Sequence, residues 1–347
     1  MLVQTYFPQR LAPARYDSFL ASGWFRGSVM LYKMDLLCLE EDVYSVVNIR
    51  LNLPKFELRK GQRKVVRKVE REFIVTYGKA QTNANKEALY QQQKKKFKGF
   101  IHPTLNDYLN SGFHQTVFDT REICVYDGDK LIAVSFFDFG KNSMASLLGL
   151  YDEDYNSFSL GYYTMLKEIE IASKLGFKWY YPGYVLDQPS QFNYKLRLGE
   201  FEYYNDNQRW SKYEKFDADL TKASHFRRKL QEAKALLDEA RIEYKEVLYP
   251  LFSMGYVGYL NAEFLKYPAY LEIVNQKQFK TIISFDLDQE AFIAATVVKA
   301  PNYEHLINME ASQEFNSNDS YRMQLLMVTE FLCVTPELKG LLIYFQS

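Results

Sequence analysis

The sequence predicts an α+β protein: a mixed sheet with flanking helices, a basic N-terminal lobe before it and a C-terminal α+β appendage after it. Three observations carry this. Strand signals at Glu122–Asp127, Leu131–Phe139 and Ala145–Leu150 follow one another, and Asp127-Gly128 between the first two suits a tight hairpin turn. A capped amphipathic helix is then expected from Ser159 to Gly176. Behind it comes the aromatic, strand-like run Lys178–Val185.

Taken in order, Asn48–Leu53 alternates like a strand until Pro54 breaks it. Arg59–Arg71 (RKGQRKVVRKVER) is a basic stretch whose apolar members are Val65, Val66 and Val69. Residues 80–98 read as a polar helix or linker ending in Lys94-Lys95-Lys96. In the long helix Ser159 is the expected N-cap, Leu166, Ile169 and Leu175 recur near helical spacing with Tyr162 or Tyr163, and Gly176 is the stop. Pro182-Gly183 interrupts the next strand, which predicts a bulge or a splayed end. A splayed strand leaves a gap in a sheet where an acyl donor can lie. Strand, hairpin, strand, long helix, strand is the order of an acetyltransferase-like (GNAT) half-sheet. Lys215–Glu246 then reads as one long helix, Tyr270–Val274, Lys280–Phe285 and Phe292–Val298 as strands, and Tyr321–Leu332 as a closing helix. The expected divisions are 1–90, 91–212 and 213–347.

Composition narrows the class. A chain of 347 residues, 47% hydrophobic and 25% charged, buries a large core, which excludes disorder for most of it. The 16% aromatic share fits a sheet-rich core or, alternatively, base stacking. Formal net charge is zero but unevenly spread: Lys55–Lys98 holds fourteen Lys/Arg against four Glu, whereas Leu248 to the end holds six against eleven acids. The basic half suits phosphates, and its competing explanation is a solvated helix face. Cys38, Cys124 and Cys333 are too scattered for a disulfide framework or a four-ligand metal site. With no signal peptide and no apolar run of membrane-spanning length, a cytoplasmic protein without membrane or DNA partners is expected.

The segments Ser159-Leu160-Gly161, Glu168-Ile169-Glu170, Tyr180-Tyr181-Pro182-Gly183-Tyr184 and Tyr194-Lys195 together resemble the arginyl-tRNA–protein transferase family, which includes bacterial leucyl-transferring enzymes. Upstream, Gly112-Phe113-His114-Gln115 resembles that family's G-x-FHQ element. Leu131-Ile132-Ala133-Val134 with Asp138 resembles its LIAVG-x-x-D strand, and Leu150-Tyr151-Asp152 its YYDP turn. Gly23-Trp24-Phe25-Arg26, Ile49-Arg50-Leu51 and Gly61-Gln62-Arg63-Lys64-Val65-Val66-Arg67 are similar to N-terminal elements of the family. The likeness departs at the family's N-terminal cysteines, of which only Cys38 remains. Packing by Leu36, Leu37, Leu39 and Val43 is expected in their place. Residues 248–347 match nothing in the family.

The resemblance implies a GNAT-like fold and transfer of an amino acid, arginine first and leucine second, from charged tRNA to proteins with acidic N-termini. No metal and no cofactor is implied beyond aminoacyl-tRNA as co-substrate. An aminoacyl ester is already activated, so the enzyme must hold it beside the amine, accept a proton and stabilise an oxyanion. Asp187, Gln188, Tyr194 and Lys195, just after the aromatic strand, are the expected cluster, with His114 and Gln115 orienting the ester. At Asp187 the family usually carries His, and a turn role before Pro189 competes. Recognition of a carboxylate favours forked cations, hence Arg26, Arg50 and Arg63, with Tyr184 beside them. Salt bridging within the lobe is the competing role for these arginines. Arg59, Lys60, Lys64, Arg67 and Lys68 are the expected tRNA contacts. Two other classes stay open. A CoA-dependent GNAT acyltransferase is disfavoured because Asn156–Gly161 has a single glycine where a pyrophosphate loop needs several. The other is a non-catalytic descendant that binds tRNA or N-termini.

Overall fold

The computed structural model describes residues 1–97, 100–112, 116–256, 262–274, 280–300, 310–311 and 320–344. The chain opens with β1 (Val3–Tyr6), α1 (Pro13–Ala21), β2 (Phe25–Gly27) and β3 (Met30–Met34), the strands pairing in the order β1-β3-β2. β4 (Leu36–Leu39) and β5 (Asp42–Asn52) follow, then α2 (Lys60–Glu72), β6 (Ile74–Lys79), α3 (Ala84–Gln93), β7 (Phe100–Ile101) and α4 (Leu105–Asn110). A meander of β8 (Asp119–Asp127), β9 (Lys130–Phe139) and β10 (Ser143–Tyr151) leads into α5 (Leu160–Lys174). Then come β11 (Trp179–Tyr181), β12 (Tyr184–Leu186), β13 (Phe201–Tyr204) and β14 (Trp210–Lys212). The last part is α6 (Lys222–Glu239), β15 (Tyr244–Leu248), β16 (Ala269–Ile273), β17 (Lys280–Asp286), β18 (Ala291–Lys299), β19 (Glu310–Ala311) and β20 (Leu326–Thr335).

Most of these strands form one mixed sheet in the order β14-β13-β5-β11-β10-β9-β8-β6, with β4 and β12 also on β5. Strands from both sides of residue 90 therefore share a sheet. The β8–β9 hairpin turns where Gly128 adopts φ +57°, a conformation open to glycine at no steric cost. β9 is buried from Leu131 to Asp138 because helices cover both faces. Ile132 and Phe137 pack with α5, and Leu131, Val134 and Phe136 with α3 and α4. A strand covered on both sides reads as a continuous apolar run, as this one does. α2 lies on α5 through Val66 and Val69, which leaves its cations outward.

The C-terminal sheet has the order β15-β16-β17-β18-β20, antiparallel throughout among the described residues. α6 covers it with Ala223, Phe226, Leu230, Ala233 and Leu237, an alternating three-and-four spacing that makes one apolar stripe. Leu2, Val3, Leu36, Cys38 and Val43 join the same core. Cys38 is buried there, and its thiol donates to the Pro268 carbonyl at 3.2 Å. Where the resembling family has clustered cysteines, this chain thus has an apolar contact with the C-terminal sheet.

Three expected elements differ. The segment read as a closing helix, Tyr321–Leu332, is largely strand: Leu326–Thr335 pairs with β18, and that edge pairing overrides the local helical pattern. The helix expected over Lys215–Glu246 is shorter. Thr221 caps it through an Oγ bond to the Ser224 N–H, and beyond Arg241, at φ +57°, the chain becomes β15. Ser159 does not cap α5 with its side chain; it sits at φ +54° as the join between a preceding 3-10 turn and the helix.

Candidate active site

The site begins with a parting of strands. β10 and β11 run parallel, as the α5 crossover between them requires, but they pair only from Ser143–Ala145 to Trp179–Tyr181. Beyond that point β10 stays on β9, with an irregularity between Ser146 and Leu148, while the chain after Pro182-Gly183 leaves β10 and continues along β5, on which β11 already lies, as β12. Gly183 turns the chain at φ +90°, and a Cβ there would be strained and would stand 3.4 Å from the Lys195 ammonium. The splay expected from Pro182-Gly183 is therefore present.

A cavity of about 220 Å³ fills the gap. Ala145, Ser146 and Leu147 line one side, and Tyr181, Pro182, Gly183 and Tyr184 the other. Trp24, Phe25, Tyr32, Tyr108, Phe192 and Trp210 add an aromatic wall. Tyr184 packs edge-on against both Phe25 and Phe192 at 5.3 Å between centroids. Burial pushes the phenols of Tyr181 and Tyr184 up to about 12, so both stay neutral donors at physiological pH.

Lys195 enters this wall from the 3-10 turn Gln191–Arg197. Its ammonium donates to the Tyr184 carbonyl at 2.9 Å and lies 5.0 Å from the Phe192 ring centroid. Among the described residues no carboxylate pairs with it, and burial pulls it down to about 8. One of its three N–H donors is used by Tyr184, which leaves two for a ligand. Gln62 of α2 fixes the end of that turn by donating to the Leu198 carbonyl at 2.8 Å.

The other expected residues are dispersed. Arg26 borders the cavity, but its guanidinium is spent: it pairs with Asp138 at 2.6 Å and also donates to Ser28 O, Thr120 Oγ1 and Leu109 O. Asp138 accepts from Thr120 and Tyr16 as well. Arg26 therefore holds β2 and β9 together rather than offering a free fork to a substrate. Arg50 lies between Trp179 and Trp210, 3.6 and 4.2 Å from their rings, and pairs with Glu202, outside the cavity lining. Arg63 is exposed on α2, with its guanidinium on the Leu58 carbonyl.

Asp187 is likewise a structural residue, correcting its expected catalytic place. Its side chain has no exposed surface and accepts from Ser45 N–H, Thr221 Oγ1 and Arg227, which ties β12 and β5 to the start of α6. Gln188 and Tyr194 are exposed and do not line the cavity. His114 and Gln115 lie outside the described residues. Arg59, Lys60, Lys64 and Arg67 stand exposed on α2 with no carboxylate partner among the described residues. Lys68 donates to the Ser157 carbonyl.

Sequence reasoning gave no site role to Ser146 or Asn48, which line the cavity, nor to the motif residues Glu168 and Tyr180, which bond to each other in the core. Asn48 opposes Tyr184 across the β5–β12 pairing, and nothing in its local pattern marks it. Glu168 was visible as the one acid at an inward position of α5, on the face it shares with Thr164, Met165 and Ala172.

A profile described as "Arginine-tRNA-protein transferase, C terminus" matches residues 73–205. An aspartate/glutamate leucyltransferase of Leptospira interrogans is 25% identical over 209 residues, 55% of this chain and 79% of that protein. The enzyme of the same name from Vibrio cholerae is 26% identical over 205 residues, 58% of this chain and 85% of that one. Among solved structures, L-PGS from Bacillus licheniformis aligns with a TM-score of 0.33 at 11% identity over 43% of this chain and 47% of its own. FemX aligns with a TM-score of 0.33 at 9% identity, over 51% and 61%. Among the described residues no helix is long and apolar enough to cross a membrane.

Proposed function

Because the chain belongs, through residues 73–205, to the arginyl-tRNA–protein transferase family with its leucyl-transferring relatives, and is an aminoacyltransferase, we propose that the β10–β11 gap is its aminoacyl site. The reaction would move an amino acid from the 3′ end of a charged tRNA to the α-amine of a protein beginning with Asp or Glu. Strand order and splay support an acetyltransferase-like half-sheet as the platform. The observation that carries the reading is Lys195: a cation with no ion-pair partner among the described residues and one of its donors on the Tyr184 carbonyl, held at the mouth of an aromatic cavity between parted strands. Aminolysis of an ester builds negative charge on the carbonyl oxygen, and a fixed dehydrated cation stabilises it without reorganisation.

The cavity favours leucine over arginine as the transferred residue. Its carboxylate, Asp138, is already neutralised by Arg26, so a guanidinium side chain would be buried without an acid, whereas a branched aliphatic one gains from the ring faces. Incubating the protein with leucyl-tRNA and arginyl-tRNA in equal amounts, with a peptide beginning with Asp, should give the leucyl mass increment on the peptide. Predominant arginyl product would overturn the donor assignment.

The outward face of α2 suits the tRNA backbone, since the turn bearing Lys195 is fastened to that helix by Gln62. Replacing Arg59, Lys60, Lys64 and Arg67 with Gln should lower the slope of log affinity against log salt by roughly one unit for each lost phosphate contact. An unchanged slope would return this face to simple solvation.

A further inference from the structure

Below the cavity lies a carboxyl group with no part in the transfer described so far. Glu168 of α5 is fully buried among apolar neighbours. Its Oε2 accepts from the Tyr180 hydroxyl at 2.7 Å, while Oε1 has no hydrogen-bond partner at bonding distance among the described residues. Ser135 on β9 and Ser146 on β10 lie near enough for their hydroxyls to favour its charged form, although neither makes a hydrogen bond to it, and the Ser135 oxygen has no partner among the described residues. Buried Asp138 and Asp187 each have an arginine, whereas Glu168 has no cation partner among the described residues, and an unpaired carboxylate in this setting is costly to keep charged. Ser146 also lines the cavity, where β10 leaves β11. The residue thus borders the cavity and lies within reach of Glu168.

We infer that Glu168 takes up the proton released by the attacking amine, with the Ser146 hydroxyl as the link between cavity and carboxylate. The inference rests on the transfer reading proposed above. A protein N-terminus arrives as an ammonium. One of its protons passes to Ser146 Oγ as the Ser146 proton passes to Glu168, leaving a neutral amine and a carboxylic acid. The amine nitrogen then bonds to the ester carbonyl carbon. As the tetrahedral intermediate collapses, the C–O bond to the 3′ oxygen breaks and a second nitrogen proton goes to that oxygen. Glu168 returns its proton to solvent before the next turnover. It does not touch substrate and is a positioning residue acting through Ser146.

Its acidity suits the task, because burial pushes it up to about 7, opposed in part by the hydroxyls of Tyr180, Ser146 and Ser135. Among the described residues the titratable groups that sense its charge are the Tyr180 phenol on β11, bonded to it, and the Tyr194 phenol on the Gln191–Arg197 turn. Lys167 and Glu170, its neighbours on α5, are engaged with Glu70 and Lys174 instead. The carboxylate form is the working one, so transfer rises as pH passes upward through about 7.

Glu168→Gln keeps the volume and the Tyr180 bond. With leucyl-tRNA and an Asp-peptide, its turnover at pH 7 should fall about 100-fold, the lower range for loss of a general base, while KM for both substrates moves less than about twofold. The acid limb of the pH profile should climb to about 8, where the peptide's own α-amine loses its proton. Ser146→Ala, which leaves Glu168 in place, should show the same loss and the same limb shift, and it decides the matter if Glu168→Gln does not fold. A limb that stays near 7 in the variants would overturn the relay and leave the transfer reading standing. A wild-type protein that transfers nothing from either charged tRNA would overturn both.

Discussion

Lys195→Ala should lower single-turnover transfer by two to three orders of magnitude with an unchanged circular dichroism spectrum. The ammonium sits on the Tyr184 carbonyl beside the Phe192 ring, with two donors that make no bond among the described residues. Removing a donor aimed at a developing oxyanion costs about 2.7–4 kcal/mol in comparable sites. The fold should survive because the side chain makes no ion pair among the described residues, and its cavity neighbours are held by strand pairing and ring contacts. The wild-type pH profile carries the same signature. Burial has lowered this ammonium to about 8, so it is charged below that value and loses its charge as pH rises through it. Transfer should therefore decline above about pH 8, and the residual activity of Lys195→Ala should lack that decline. Full activity in Lys195→Ala would remove the cation from the reaction.

The second large effect is on stability. Arg26→Leu and Asp138→Asn should each lower the melting temperature by roughly 5 °C. Both side chains are 1% exposed and joined at 2.6 Å. Removing one partner of a buried pair leaves an uncompensated charge or orphaned donors, typically a loss of about 3–5 kcal/mol. For a chain of 347 residues each kcal/mol moves Tm by roughly 1–2 °C. Arg26 adds bonds to Ser28, Thr120 and Leu109 and stacks on Phe118 at 4.2 Å, so its loss also loosens β2 and α4 from β9. Thermal melts followed by circular dichroism decide this. A change within about 1 °C in both variants would show that the pair is compensated elsewhere.

The meander, α5 and the Pro182-Gly183 splay were legible in the sequence because each is specified locally. A turn dipeptide makes the hairpin, helical spacing makes α5, and a residue pair unfit for a central strand opens the gap. β20 was not legible, since its pairing with β18 is a long-range choice that periodicity over a short run does not encode. The site was half legible. Lys195 and Tyr184 follow the aromatic strand closely enough to be found from its pattern. Asp187 follows it as closely, yet it turns to Ser45, Thr221 and Arg227, segments whose approach only the folded chain reveals. Arg26 and Arg50 were chosen for their forked geometry, which the structure uses internally, on Asp138 and on Glu202 between two indole rings. Ser146 and Asn48 reach the cavity through the parting of β10 and the opposition of β5 to β12.

In the proposed reaction the gap between β10 and β11 holds the aminoacyl end of the donor. A crystal structure with a non-hydrolysable 3′-leucylamido-adenosine tests it most directly. The leucyl side chain should lie against Trp24, Tyr181 and Tyr184, with its carbonyl oxygen within hydrogen-bond reach of the Lys195 ammonium. The compound bound elsewhere, with this cavity unchanged, would contradict the assignment.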